Sequence, residues 1–172
     1  MPDKALITKP INQPTEILSQ LHSGQLLRVN GCRSSALIIC HRHHAELAGP
    51  GAGIGSLFDI NCSRVIPIGN PSVVCPESRV ERQKAYEIRQ QWIRFTQKAM
   101  EYCVPLQRAR VILVVFEKYF GLEATAQMPD EILAQLVGVL PKTIQMARRV
   151  TSKPCESTPK QSTVKVLSLT EG

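Results

Sequence analysis

The sequence contains no apolar segment long enough to cross a membrane. Its longest uninterrupted apolar run is Val111 to Phe116, whereas a transmembrane helix needs about 20 residues. The N-terminal stretch MPDKALITKPINQPTEIL also has no apolar centre of the kind that a secretion signal carries. We therefore expect a soluble, cytoplasmic protein with no membrane partner. The hydrophobic fraction of 43% is sufficient to close a core.

Closely spaced cysteine pairs are also absent. The intervals between Cys32, Cys40, Cys62 and Cys75 hold 7, 21 and 12 residues, and the sequence has no C-x2-C pair that would preform a metal or cluster site. In a reducing compartment we expect buried or redox-active thiols and no disulfides. The segment CHRHH (40–44) leaves a metal site open. Surface histidines beside a buried cysteine are the favoured interpretation, so we predict no metal and no cofactor.

Motifs of the common enzyme classes are missing as well. The chain has no nucleophile elbow, no Walker loop and no His-Glu-x-x-His segment. The segment GPGAGIGS contains a G-x-G pair, but the following LFDINCS does not resemble the start of a helix, as a dinucleotide-binding turn requires. We therefore predict that the protein is not an enzyme.

The net charge of +7 suits a polyanionic partner. The excess is spread over the whole chain, but it is most one-sided between Gly138 and Lys165. In that stretch a single acidic residue, Glu156, accompanies six basic ones, which are Lys142, Arg148, Arg149, Lys153, Lys160 and Lys165. A concentration of this kind favours nucleic acid as the partner.

Residues 1–76 differ in character from the residues that follow. They are rich in Gly, Pro and Ser, and the short apolar runs ALIIC, SRVIPI and SVVC predict strands between loops. The segment AGPGAGIGS predicts a turn or loop. From Glu77 to Cys103 there are 27 residues without Gly or Pro, which predicts one helix about 40 Å long.

Apolar residues recur along this long helix at alternating intervals of three and four. They are Ala85, Ile88, Trp92, Phe95, Ala99 and Tyr102. The spacing is typical of a coiled-coil seam between two copies of the chain, and it is also typical of an amphipathic helix that lies on its own domain. We favour the dimer seam.

The C-terminal part predicts further helices and a hairpin. Pro105 breaks the long helix, and LQRARVILVVFEKYF then predicts a second helix that ends at Gly121. The segment LEATAQMP predicts a loop. After it come two short helical patterns that meet at Gly138, and then TVKVLSLT, which predicts one strand of a small hairpin.

The stretch DEILAQLVGVLPKTIQMARR has the residue types of two helices that cross steeply over a short turn. Ala134 is small enough for the crossing, Gly138 tolerates a left-handed backbone, and Ile144 points back into the crossing. Pro141 fits the first turn of the second helix. Further inward positions are Leu133, Val137, Val139 and Ala147. A structural hairpin would share this periodicity, but the spacing and the basic residues that follow favour DNA binding.

The segment LAQLVGVLPKTIQMARR, preceded by VPLQRARVILVVFEKYFG, resembles the DNA-binding half of the Crp/Fnr family of transcription regulators over roughly residues 78–169. The resemblance implies an α+β protein with a small β-rich N-terminal sensory region (1–76), a long dimerisation helix (77–104) and a C-terminal winged helix-turn-helix domain (105–172). It implies a homodimeric, ligand-responsive transcription regulator whose partner is double-stranded DNA.

The recognition helix departs from the family pattern. Where the family usually has an Arg-Glu pair and a second Arg, this chain has Pro141, Lys142 and Met146, so the family's operator specificity does not carry over. We predict that Lys142, Thr143 and Gln145 reach base edges and that Arg148, Arg149, Lys153 and Lys160 hold phosphates. The same departures leave open the alternative that the protein is a regulator that docks onto another transcription factor through its helix-turn-helix fold, without reading DNA itself.

The fragment GIGSLFDINCSR is similar to the family's phosphate-binding cassette, with Gly55, Leu57 and Arg64 at matching or neighbouring places, although a simple β-turn remains an alternative. Ser56 replaces the cassette's ribose-binding glutamate, which argues against cyclic AMP. Guanidinium groups and a carboxylate can bind guanine, so cyclic di-GMP is the leading effector hypothesis. The residues proposed to bind it are Arg28, Arg33, Ser56, Asp59, Arg64, Arg79 and Arg82.

Overall fold

The computed structural model describes residues 9–151, which form a mixed α+β fold. The helices are α1 (Pro14–His22), α2 (Arg79–Met100), α3 (Pro105–Phe120), α4 (Leu122–Gln127), α5 (Asp130–Val137) and α6 (Pro141–Thr151). The strands are β1 (Leu26–Asn30), β2 (Ala36–Cys40), β3 (Ala45–Ala48), β4 (Gly53–Gly55), β5 (Arg64–Ile68) and β6 (Ser72–Val74). No helix among these residues is long and apolar enough to cross a bilayer.

The strands form two small antiparallel sheets, ordered β4-β1-β6 and β3-β2-β5. Ile38 pairs with Leu47 on one side and with Ile66 on the other, and every residue of β2 is buried. A central strand covered on both faces explains why ALIIC is apolar without alternation. The strand predictions for ALIIC, SRVIPI and SVVC are confirmed.

Two local predictions differ from the structure, and one helix was not predicted. Gly53–Gly55, expected to lie in a loop, is strand β4 and pairs with Leu26–Arg28. The segment from Leu122, also expected to be a loop, begins with α4, where the Thr125 hydroxyl donates to the Gly121 carbonyl at 2.8 Å. Helix α1 was not anticipated. All three elements are short, and tertiary contacts decide the conformation of such segments more strongly than local pattern does.

The long-helix prediction is confirmed as α2. Ser78 caps its N-terminus by accepting from the Glu81 backbone N–H at 3.1 Å, and the Glu81 carboxylate accepts in return from the backbone N–H groups of Glu77 and Ser78. Those two N–H donors lower the pKa of Glu81. The helix ends at Met100, before Pro105 begins α3.

The apolar stripe of α2 packs within the chain, on strands β3 and β4 and on helices α3 and α5, which corrects the seam assignment. Ala85, Trp92 and Ala99 are buried within the chain, Ile88 and Phe95 are partly buried, and Tyr102 lies beyond the end of the helix. Small residues before and within β4 permit this close approach, since a Cβ on Gly49 would lie 2.0 Å from the Trp92 ring. The amphipathic alternative therefore accounts for the spacing.

Replacing Gly49 with Ala should lower the free energy of unfolding by about 1–3 kcal/mol, the usual range for overpacking a close contact. The added methyl would displace Trp92. Urea denaturation measures the loss, and Trp92→Leu made in the same background should recover part of it. If the stability losses of the two single variants add up in the double variant, Gly49 and Trp92 are not coupled in this way.

The two-helix prediction is confirmed as α5 and α6. Gly138 has φ 63° and ψ 47°, the left-handed conformation expected of it, and the Val139 backbone N–H donates to the Ala134 carbonyl at 3.1 Å. Pro141 begins α6. Ala134, Leu133, Val137, Ile144 and Ala147 are all buried. The predicted hairpin strand and the predicted phosphate-binding residues Lys153 and Lys160 lie outside the described residues.

Candidate functional site

Helix α6 presents one continuous exposed face. This α6 face consists of Lys142, Gln145, Met146, Arg149 and Val150, whose spacing of three or four residues places them in a single stripe. Ile144 and Ala147 anchor the opposite side in the core, and Thr143 is half-buried between the two. Of the predicted base-reading residues, Lys142 and Gln145 therefore lie on the exposed surface.

Arg148 has a different role from the predicted one. Its Nε donates to Asp130 Oδ1 at 2.8 Å, its Nη1 to the Thr125 carbonyl at 3.0 Å and its Nη2 to the Met128 carbonyl at 2.8 Å. All three guanidinium nitrogens thus donate to α4, to the connection that follows it and to α5. This arrangement holds α6 against its neighbours, so the phosphate-binding assignment of Arg148 is corrected to a positioning one.

A second group of polar side chains lies where the hairpin of β2 and β3 and the β4–β5 loop meet α2. We call it the Arg89 cluster, and its members are His41, Glu46, Asp59 and Arg89. Arg89 Nη1 donates to Asp59 Oδ2 at 2.6 Å and Nη2 to Asp59 Oδ1 at 2.9 Å, while Nη2 also donates to Glu46. The Arg89 side chain is 6% exposed and that of Asp59 is fully buried.

The loop after β4 brings Asp59 to this position. Gly55 and Ser56 both have positive φ, 89° and 57°, and the Gly55 backbone N–H donates to Asp59 Oδ2 at 2.6 Å. Arg89 also donates to the Gly53 carbonyl at 3.1 Å. Burial alone would lower the pKa of Arg89, but the hydrogen bonds and charges of Asp59 and Glu46 outweigh it and raise that pKa.

This geometry changes the interpretation of the predicted effector residues. Both oxygens of Asp59 are engaged inside the protein and no part of the residue is exposed, so it is not available to accept from guanine. The predicted arginines lie on separate elements. Arg28 is on β1, Arg33 in the β1–β2 loop, Arg64 at the start of β5, and Arg79 and Arg82 in the first turn of α2.

The structure brings one of those arginines close to the start of α2. The charge of Arg28 contributes to lowering the pKa of Glu81, and Arg82 Nη2 donates to the Glu77 carbonyl at 3.4 Å. Ser56 is half-buried in its strained turn. The region around Arg28 and Arg82 therefore remains a candidate for an anionic ligand, whereas the region around Asp59 does not.

Three of the cysteines have shifted pKa values, in opposite directions. Cys40 and Cys62 are buried, and burial raises the pKa of both thiols, that of Cys62 to about 11. Cys32 is exposed in the β1–β2 loop, with its Sγ 3.3 Å from Ser34 Oγ and 3.1 Å from Ser35 Oγ. Hydrogen bonds from Ser34 and Ser35 lower its pKa to about 7.

Cys32 should therefore react with iodoacetamide in a pH profile whose midpoint is about 7, because the thiolate is the nucleophile. Mass spectrometry of the modified peptide, over a pH series, measures this. Ser34→Ala removes the hydrogen bond with the largest effect and should move the midpoint upward. A midpoint that Ser34→Ala leaves in place would contradict the assigned cause.

No protein-family model, curated protein sequence or solved structure matches the chain.

Proposed function

We propose that the protein is a homodimeric, ligand-responsive transcription regulator that binds DNA through α6. The observation that carries the proposal is the packing of α6 against α5 across a left-handed Gly138, with Ile144 and Ala147 inside and the α6 face outside. A helix held in this way can enter a major groove, which is wide enough to admit one helix.

The residues of the α6 face suit such a contact in part. Lys142 can bind the guanine edge, Gln145 can pair with adenine, and Arg149 can bind a phosphate at the end of the helix. The ion pair between Arg148 and Asp130 supports DNA binding by α6 indirectly, since it holds α6 in a fixed orientation. The resemblance to the Crp/Fnr DNA-binding half agrees with the same assignment.

The homodimer follows from the proposed mode of DNA binding, in which two recognition helices contact half-sites about 34 Å apart. The apolar stripe of α2 is occupied within the chain, so the pairing surface must lie elsewhere. Leu57 and Phe58 are 82% and 62% exposed, and the Phe58 ring lies 6.0 Å from that of Tyr86 on α2. This apolar surface beside α2 is the pairing site that we propose.

A binding measurement with random-sequence duplex tests the proposed function. Fluorescence anisotropy across a salt series should show an affinity that falls linearly on a double-logarithmic plot, because bound cations are released from phosphates. Sedimentation of the free protein, and of Leu57→Ser beside it, tests the dimer. Lack of binding at low salt would rule out DNA as the direct partner.

The proposed effector is cyclic di-GMP, bound near Arg28 and Arg82. Isothermal titration with cyclic di-GMP and, separately, with cyclic AMP tests it. Heat with cyclic di-GMP that Arg28→Ala and Arg82→Ala abolish supports the assignment, whereas heat with neither nucleotide eliminates both. A change in duplex affinity upon saturation with the nucleotide would establish that the ligand regulates binding.

A second candidate function is an adaptor that docks α6 onto another transcription factor. The observation that favours it is the apolar content of the exposed surface, since Leu140, Met146 and Val150 are 73%, 49% and 49% exposed. Met and Val donate no hydrogen bonds to bases. A failed duplex titration together with an intact fold would favour this adaptor over the DNA reader.

A further inference from the structure

The turn between β2 and β3 places two histidines and a glutamate on one face of a hairpin. Cys40 pairs with Ala45, and the His41 backbone N–H donates to the His44 carbonyl at 2.8 Å, so these two histidines lie opposite each other across the turn. Glu46 follows two residues after His44. Because side chains alternate along a strand, Glu46 projects from the same face as His44.

The three side chains are close enough to share a ligand. The imidazole rings of His41 and His44 are stacked with centroids 4.6 Å apart, and His44 Nε2 lies 3.4 Å from Glu46 Oε1. One donor atom from each residue lies within 4.8 Å of the other two. A metal bound at ligand distances of about 2.0–2.2 Å requires the three donor atoms to lie somewhat closer to one another than they do here. His44, 56% exposed, has room to rotate.

A separate observation concerns one nitrogen atom of the His41 ring. Among the described residues, the buried Nε2 atom of His41 has no hydrogen-bond partner, although it lies 3.3 Å from Asp59 Oδ1. Because a carboxylate oxygen only accepts, Asp59 cannot satisfy a lone pair on Nε2, and the orientation of the two groups does not form a hydrogen bond. A buried unsatisfied nitrogen calls for an explanation, and coordination to a cation would supply one.

The surroundings resemble the outer sphere of a metal site. Glu46 turns Oε1 toward His44 while its Oε2 accepts from Arg89, and a carboxylate ligand is commonly held by such a hydrogen bond. Asp59 and Glu46 carry two negative charges against the single positive charge of Arg89. The two carboxylates and the guanidinium therefore carry a net negative charge, which favours a cation over an anion as the ligand of the neighbouring histidines.

We propose that His41, His44 and Glu46 form a binding site for a divalent transition metal, with Zn²⁺ as the ion that fits best. Two imidazoles and one carboxylate are a donor set that zinc takes in sites with three protein ligands, where the fourth position is left for water or an external group. Imidazole disfavours Mg²⁺ and Ca²⁺, which prefer oxygen. This proposal does not depend on DNA binding.

The site would also be connected to the long helix. Arg89 of α2 donates to Glu46 and to Asp59. A cation bound by Glu46 would therefore reduce the negative charge next to Arg89. Helix α2 in turn contacts both α3 and α5. If α6 binds DNA, metal binding would regulate that DNA binding. The metal site itself is defined by the β2–β3 hairpin alone.

Isothermal titration of untagged, chelator-treated protein with ZnCl₂ tests the proposal. The experiment uses the full chain with Cys32→Ser and Cys103→Ser in place, so that exposed thiols do not compete for zinc. We expect one equivalent bound, at least a tenfold loss of affinity in His44→Ala and in Glu46→Gln, and no comparable binding of MgCl₂. Circular dichroism checks that each variant is folded.

His43→Ala is the matched control, because His43 lies in the same turn and is exposed but does not belong to the donor set. It should bind Zn²⁺ like the parent. Equal losses in His43→Ala and His44→Ala would mean only adventitious binding by surface histidines. Unchanged affinity in His44→Ala, or no binding by the parent, would overturn the site. Co²⁺ provides a second readout, since visible absorption bands that His44→Ala abolishes would support coordination there and persistent bands would oppose it.

Discussion

Replacing Arg89 with Ala should lower the free energy of unfolding by about 3–5 kcal/mol, the range expected when one partner of a buried ion pair is removed. Asp59 is fully buried and would lose both hydrogen bonds from the guanidinium. Glu46 would lose its Arg89 partner as well. Most of the loss comes from leaving a carboxylate in the interior without a counter-charge.

Urea denaturation monitored by circular dichroism measures this effect, and Arg94→Ala is the control. Arg94 lies on the same helix but is exposed, so its removal should change stability by no more than about 0.5 kcal/mol. Equal effects in the two variants would contradict the structural role of Arg89.

If Arg89→Ala does not fold at all, the double variant Arg89→Met with Asp59→Asn keeps the prediction testable. The asparagine retains an oxygen that can accept from the Gly55 backbone N–H. Both buried charges are then removed together, which is far less harmful than removing one. A double variant that is no more stable than Arg89→Ala would indicate that packing, not charge, dominates the cluster.

The difference between the predicted seam and the observed packing shows what a periodic pattern can decide. Intervals of three and four locate the buried face of α2, and Ala85, Trp92 and Ala99 are indeed buried. The same intervals do not say whether a second chain or the chain's own sheet covers that face. Gly49, which leaves room for the Trp92 ring, is distant in sequence, so its contact with α2 is invisible to a local pattern.

Arg89 was missed because a charged residue is normally assigned to the surface. The buried residues of α2 are Ala85, Arg89, Trp92, Thr96 and Ala99, at intervals of four, three, four and three. Arg89 thus occupies a place in the apolar stripe itself. A cation at such a position is a signal of a buried carboxylate elsewhere, but the sequence alone could not identify Asp59 as that carboxylate among the acidic residues.

The α5–α6 unit was the best predicted part because its demands are local. Gly138, Pro141, Ala134 and Ile144 each satisfy a requirement set within about ten residues, and all of them lie as expected. Arg148 is the exception on α6. Its partners at Thr125, Met128 and Asp130 belong to α4, the following connection and α5, so counting basic residues along the helix could not separate a positioning arginine from a ligand-binding one.

The Arg89 cluster and the α6 face lie on parts of the fold that α2 connects. One end of the connection is the ion pair between Arg89 and Asp59, and the helix then packs on α3 and α5. A change near Arg89 can reach α6 through a shift of α2 against those helices, or through β3, which carries Glu46 and also contacts α5. Such a shift would be a coupling between two sites, measurable as a change in duplex affinity upon ligand binding.

Replacing Lys142 and Arg149 together with Ala should weaken binding to duplex DNA by roughly a hundredfold at ~0.1 M salt. Arg149 is assigned to a phosphate, and each phosphate contact contributes about 0.9 to the slope of affinity against salt, which amounts to roughly tenfold in affinity at that concentration. Loss of the base contact of Lys142 should cost roughly another tenfold in affinity. The double variant should therefore also have a slope about 1 smaller than the parent. Both residues are exposed on α6, and alanine preserves the helix.

The matched control removes the same charge from the outer face of α2, as Lys84→Ala with Arg94→Ala. Both residues are exposed there, so the net charge falls equally while the α6 face is untouched. If the charges act only by long-range attraction, both double variants should lose the same affinity for duplex DNA. If Lys142 and Arg149 contact DNA directly, only the α6 variant should lose affinity and change its slope of affinity against salt. Equal affinities for the parent and the α6 variant at every salt concentration would exclude α6 from the interface, and DNA bound by such a protein would have to contact another surface.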